Sequence, residues 1–188
     1  MQERRYVEFV DTLEEDEVFV FGSNLSGFHG AGSAGFAMRG ESRNNWREDK
    51  TFCAILHGEE QDKRGRWAVF GVGRGYQVGR CGRSYAVATV EKPGAQGRVD
   101  LKCLFRQLKN LCDFARANQQ LTFLVVKLGA TRQEGGYSYF GIRRVRALWW
   151  KLHDVYGIPD NIILPGSQEV RNDNVSFSPI QRGDKNEF

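Results

Sequence analysis

At 188 residues, with 40% hydrophobic and 12% aromatic content, the chain has the size and composition of one folded domain with a sizeable core. No apolar run approaches the ~18 residues a membrane helix needs, and MQERRYVEF at the N-terminus holds mixed charges and no apolar leader, so the expectation is a soluble, cytoplasmic protein. The net charge of +4 is mild, and basic and acidic residues are interleaved, which suits a small anionic ligand better than a nucleic-acid face.

Cys53, Cys81, Cys103 and Cys112 form no CxxC pair, and the three histidines add no ligand spacing around them. Reduced thiols and no metal site are expected.

Taken in chain order, EVFVFG at 17–22 reads as a buried strand ended by glycine, followed by the small-residue loop SNLSGFHGAG and a short helix over 33–40. TFCAILHG at 51–58 and WAVFGVG at 67–73 read as two strands of a hairpin turned by EEQDKRGR. The segment 71–86, GVGRGYQVGRCGRSYA, reads as a glycine-rich loop between strands, and SYAVATV at 84–90 as the strand that leaves it. EKPGAQGR follows as a turn.

From Asp100 the period changes. Leu101, Leu104, Phe105, Leu108, Leu111 and Cys112 share one helical face, with Asp100 placed to cap the first turn. LTFLVVKLG at 121–129 reads as a fully buried strand of the kind found in parallel sheets. Ile142, Val145, Leu148, Trp149, Leu152 and Val155 mark a second helix stopped by Gly157 and Pro159, and NIILP at 161–165 a last strand.

Alternating helices and strands imply crossover connections, hence a single α/β domain over 1–166 with a mixed or parallel sheet flanked by helices. The polar stretch 167–188 reads as an extended or disordered C-terminal arm.

Glycine permits positive φ and lets a ligand approach the backbone, so a glycine loop between a strand and a helix can aim several N–H groups at an anion. Gly27, Gly30 and Gly32, with Ala31, occupy that position after EVFVFG, at the strand end where α/β sheets bind ligands; Ser23 leads into the loop. A tight connection packed by small residues is the alternative. Gly73, Arg74 and Gly75 in the second cluster suit the far wall of the same pocket, arginine being a bidentate phosphate partner, or else belong to a solvated loop.

A third loop, GATRQEGGYSYFG at 129–141, repeats the strand–loop–helix order, with Gly135 and Gly136 as backbone donors and Tyr137 or Tyr139 as a stacking or packing aromatic. Neither the P-loop nor the dinucleotide fingerprint fits, since no Lys-Ser/Thr ending and no acidic residue on a second strand are present. His29 has the pKa range for proton transfer, or fixes the loop through a backbone carbonyl.

FGSNLSGFHGAGSAGFA, GRGYQVGRCGRSYAVAT and the FLVVKLG strand together resemble a family of phage and bacterial proteins marked by GSN-x-x-G-x-HGAG-x-A, which in turn resembles macro domains. The resemblance spans about residues 17–165 and implies a macro-like fold that binds ADP-ribose. It makes Asn24 the asparagine that faces the distal ribose, Gly30, Ala31 and Gly32 the diphosphate loop, and Gly135 with Gly136 the second phosphate loop. ATRQEGGY is longer and more polar than the family's turn, and no acidic residue sits beside Asn24 to bind adenine or activate water.

The expectation is therefore an ADP-ribose-type nucleotide bound at these loops without a cofactor, with an ADP-ribosyl hydrolase activity if Asn24 and His29 orient water. The alternatives are a non-catalytic sensor or sponge for a nucleotide signal, and a nucleic-acid-binding protein using Arg74, Arg80, Arg83 and the RRVR segment at 143–146.

Overall fold

The computed structural model describes residues 10, 13–29, 32–39, 73–79, 82–94, 96–134, 138–166 and 168. The expected hairpin over 51–58 and 67–73, apart from Gly73, and the arm over 167–188, apart from Gln168, lie outside them.

β1 (Glu17–Asn24) is followed by α1 (Gly32–Arg39), β2 (Gly75–Val78), β3 (Arg83–Lys92), β4 (Gln96–Arg98), α2 (Leu101–Ala117), β5 (Thr122–Val125), α3 (Ile142–Tyr156) and β6 (Ile162–Ile163). The sheet order is β2-β3-β1-β5-β6, with β4 pairing β3 off that path. β1 lies between two parallel neighbours, Val18 opposite Arg83 on β3 and Phe123 on β5, while β2 and β4 run antiparallel to β3. The sheet is mixed, and its central strands are the parallel ones.

Strand alternation sorts β1 into two faces. Val18 and Val20 join Phe123, Val125 and the apolar stripes of α2 and α3, around the fully buried Trp149, Leu104, Leu108 and Leu152. Phe19 and Phe21 join Leu124 and, from α1, Ala34 and Ala37. Helices thus cover both faces, and each large side chain buried this way contributes roughly 1.5–3 kcal/mol.

Sequence periodicity placed α2 and α3 correctly, since each has a continuous apolar stripe. Asp100 caps α2 by accepting from Lys102 N at 2.5 Å and Cys103 N at 3.1 Å. Gly157 ends α3 at φ 70°, and the Arg116 guanidinium from α2 donates to the carbonyls of Tyr156 and Gly157, each at 2.6 Å, satisfying acceptors that a helix end leaves open. Cys103 and Cys112 are free thiols, and burial pushes the Cys112 thiol up to about 11.

Three strand expectations need correction. β5 covers only Thr122–Val125, because after one more bond from Val126 N to Val20 O the chain turns through Gly129, where a Cβ would overlap Val145 on α3. The last strand is only Ile162–Ile163, pinned from below by Asn161, whose Nδ2 donates among the carbonyls of Ala115, Asn118 and Leu121. The glycine-rich 71–86 segment is not one loop: it contains β2 and a turn closed by Gly79 N to Gly82 O at 2.8 Å.

Between β2 and β4 the outer edge of β3 is completed by a side chain. Gln107 on α2 accepts from Ala88 N at 2.7 Å and donates to Ala88 O at 2.9 Å, replacing a missing strand neighbour. Gln168, near the start of the expected arm, is fully buried and donates to the Leu128 carbonyl at 2.6 Å.

Candidate functional site

β1 delivers its loop at the carboxyl end of the parallel strands, and the loop turns at once: Gly27 N donates to Asn24 O at 3.1 Å. Asn24 holds this turn with its side chain. Its Oδ1 accepts from Ser26 Oγ at 2.5 Å and Phe28 N at 3.2 Å, and its Nδ2 donates to Phe28 O at 2.6 Å. The result is a short polar clip that leaves the Phe28 ring 40% exposed at the loop tip, while Asn24 itself is 5% exposed. A short carboxamide bonding the backbone a few residues on is the local chemistry that favours Asn in such turns.

His29 is buried, its ring edge-on to Phe21 at 5.1 Å, and its Nε2–H donates to the Gly73 carbonyl at 3.1 Å. The histidine therefore serves the second role open to it from sequence, fixing one loop to another. Gly27 makes the same junction from the backbone side: at φ +67°, a Cβ there would lie 3.0–3.2 Å from the Cα, carbonyl carbon and oxygen of Gly73. Only glycine gives both that φ and that approach.

Among the described residues the first two glycine clusters meet where Gly27 approaches Gly73; the next residue, Arg74, is exposed, and a Cβ on Gly75 would meet nothing within 4 Å. The turn at Gly79 and Gly82 is at the far end of β2, and the Arg83 guanidinium there donates to the Glu15 carbonyl, away from the loop after β1.

Gln77 is not among the residues that the sequence singles out, because the glycines on either side give its segment the look of a loop. Alternation would have found it: Tyr76 packs on Phe114 of α2, so Gln77 faces the opposite side, towards Gly73. It is 4% exposed, and among the described residues neither its Oε1 nor its Nε2 has a hydrogen-bond partner. The buried Ser23 Oγ, near the end of β1, is likewise unpartnered, while the Ser23 carbonyl accepts from Thr89 Oγ1 at 3.5 Å.

α1 begins at Gly32 with no acidic residue in its first turn. Gly30 and Ala31, expected beside it as the diphosphate loop, lie outside the described residues, as do Gly135, Gly136 and Tyr137 of the third loop. What the third loop does show is a carboxylate at the start of α3. Glu134 accepts from Thr131 N at 2.8 Å, Thr131 Oγ1 at 3.0 Å and Ile142 N at 3.3 Å, and these bonds, the Thr131 amide foremost, hold its pKa below the usual glutamate range. The N-terminus of α3 therefore already carries an anion. Tyr139 is exposed beside it.

Among the described residues no three His, Cys, Asp or Glu side chains gather as a metal site, and no helix is long and apolar enough to cross a membrane. Comparison with protein families, with curated proteins and with solved structures finds no match for this chain.

Proposed function

We propose that this α/β domain binds an ADP-ribose-type nucleotide at the junction of the loop after β1 with the segment before β2, and that it acts as a binder. The observation that carries the reading is the apposition of Gly27 on Gly73, locked by His29, at the carboxyl end of β1 and ahead of α1. Two glycines in backbone contact, the first on a loop that leads to a helix N-terminus, let a diphosphate approach the main chain there. The likeness to macro domains belongs to the same reading.

Binding is favoured over hydrolysis by how the two polar side chains of the loop are used. Orienting water would fall to Asn24 and His29, yet the Asn24 carboxamide is engaged with Ser26 and Phe28, and the His29 Nε2 with Gly73. Both act as scaffold for the loop in this reading.

A thermal-shift series with ADP-ribose, NAD, ADP, ATP and a short RNA tests it, followed by chromatography of any stabilising ligand. At about a hundred times its Kd, ADP-ribose adds roughly 2.7 kcal/mol, a rise of a few degrees for a domain of this size, and is recovered intact. Cleaved ligand would restore the hydrolase; stabilisation by RNA alone would overturn the reading.

A further inference from the structure

We propose that Gln77 reads the adenine edge of that nucleotide, an inference that rests on the binding reading above and adds the residue that selects the base. Its carboxamide is buried, with neither pole paired among the described residues, on the sheet face that carries α1. Each such group forfeits its hydrogen bonds to water and gets none back, so orphaned buried side-chain amides are rare in folded proteins and call for a partner.

The place of that amide is specific. Its nitrogen lies 3.5 Å from where a Cβ on Gly73 would stand, so the side chain folds back along β2 against the residue that touches Gly27 and accepts from His29. The absence of a side chain on Gly73 leaves its backbone open to the amide, which places Gln77 beside the segment before β2 where the proposed site lies. No carboxylate adjoins Asn24 in the sequence to take an adenine amino group.

A planar carboxamide offers one acceptor and one donor side by side. Adenine presents the complement along the edge formed by its 6-amino group and N7, the pairing by which glutamine and asparagine read adenine bidentately. Hypoxanthine presents two acceptors on that edge, so either orientation of the amide loses one bond. The Ser23 hydroxyl, also buried and without a partner among the described residues, is not beside that amide: Gln77 pairs with Ser84, level with Phe19, whereas Ser23 pairs with Ala88 nearer the carboxyl end of β1.

The test is calorimetric titration of wild type and Gln77→Met with ADP-ribose and with its hypoxanthine analogue. Wild type is expected to bind the adenine compound about tenfold or more tightly, and Gln77→Met to bind the two alike. Unliganded Gln77→Met is expected to melt at the wild-type temperature or above, because a thioether of similar length has no hydrogen bonds to forfeit. Equal binding of the two ligands by wild type, or discrimination retained in Gln77→Met, overturns the role of Gln77 and leaves the nucleotide site standing. A Gln77→Met protein melting several degrees lower shows that the amide is a paired structural group and overturns it too. Binding of neither ligand by wild type overturns the site and this inference together.

Discussion

Gly27 is the residue on which the loop junction turns. Its φ of +67° disfavours any other residue, and a methyl group there would crowd the Gly73 backbone at 3.0–3.2 Å. Gly27→Ala combines left-handed strain with crowding against the Gly73 backbone, so it should cost about 1–3 kcal/mol by urea unfolding and remove the stabilisation by ADP-ribose. An alanine variant as stable as wild type, and as responsive to ligand, would mean that the two loops do not depend on this approach. Asn24 and His29 support the same junction from either side, the first by fixing Phe28, the second by holding Gly73.

α3 starts on a glycine without a side-chain cap, and Glu134 supplies the missing acceptor from the preceding turn. Because the folded state lowers the Glu134 pKa, its stabilising effect is complete above the ordinary glutamate value and is lost as the pH falls through the lowered one. Wild type should therefore exceed Glu134→Gln by about 0.3–1 kcal/mol at neutral pH and low salt, the modest size reflecting an exposed carboxylate, and the difference should vanish in acid. A gap that persists unchanged in strong acid would assign the effect to something other than the charge.

This cap also shows why elements and sites were unequally legible. α2 and α3 announced themselves through continuous apolar stripes and the Asp100 cap, and β1 through its buried run. β2 did not, because Gly75 and Gly79 at its two ends look like loop and four residues give alternation little room. The Gln107 bridge to Ala88 and the Glu134 bonds to Ile142 are long-range or cross-loop pairings, which no local pattern encodes. At the candidate site, the glycine density was visible, but the partner of each glycine was not: that Gly27 meets Gly73, and that Arg83 reaches Glu15 instead, follows only from the direction of β2.

At the scale of the molecule, the described residues place the proposed nucleotide site apart from the larger core. α2 and α3 close one side of the sheet around Trp149 with apolar contacts, capped helix ends and the Lys109, Asp113 and Arg116 surface pairs. The small-residue junction, the buried Gln77 amide and the Ser23 hydroxyl belong to the other side or to the carboxyl end of β1. A ligand bound at that end should leave the α2–α3 side undisturbed. The most direct measurement is a backbone-amide NMR titration with ADP-ribose. Saturable shifts of Gly27, Phe28 and Gly73, with Leu108 and Trp149 unmoved, are the expected result. Shifts confined to α2 and α3, or no saturable change at Gly27 and Gly73, would contradict a nucleotide site at this junction.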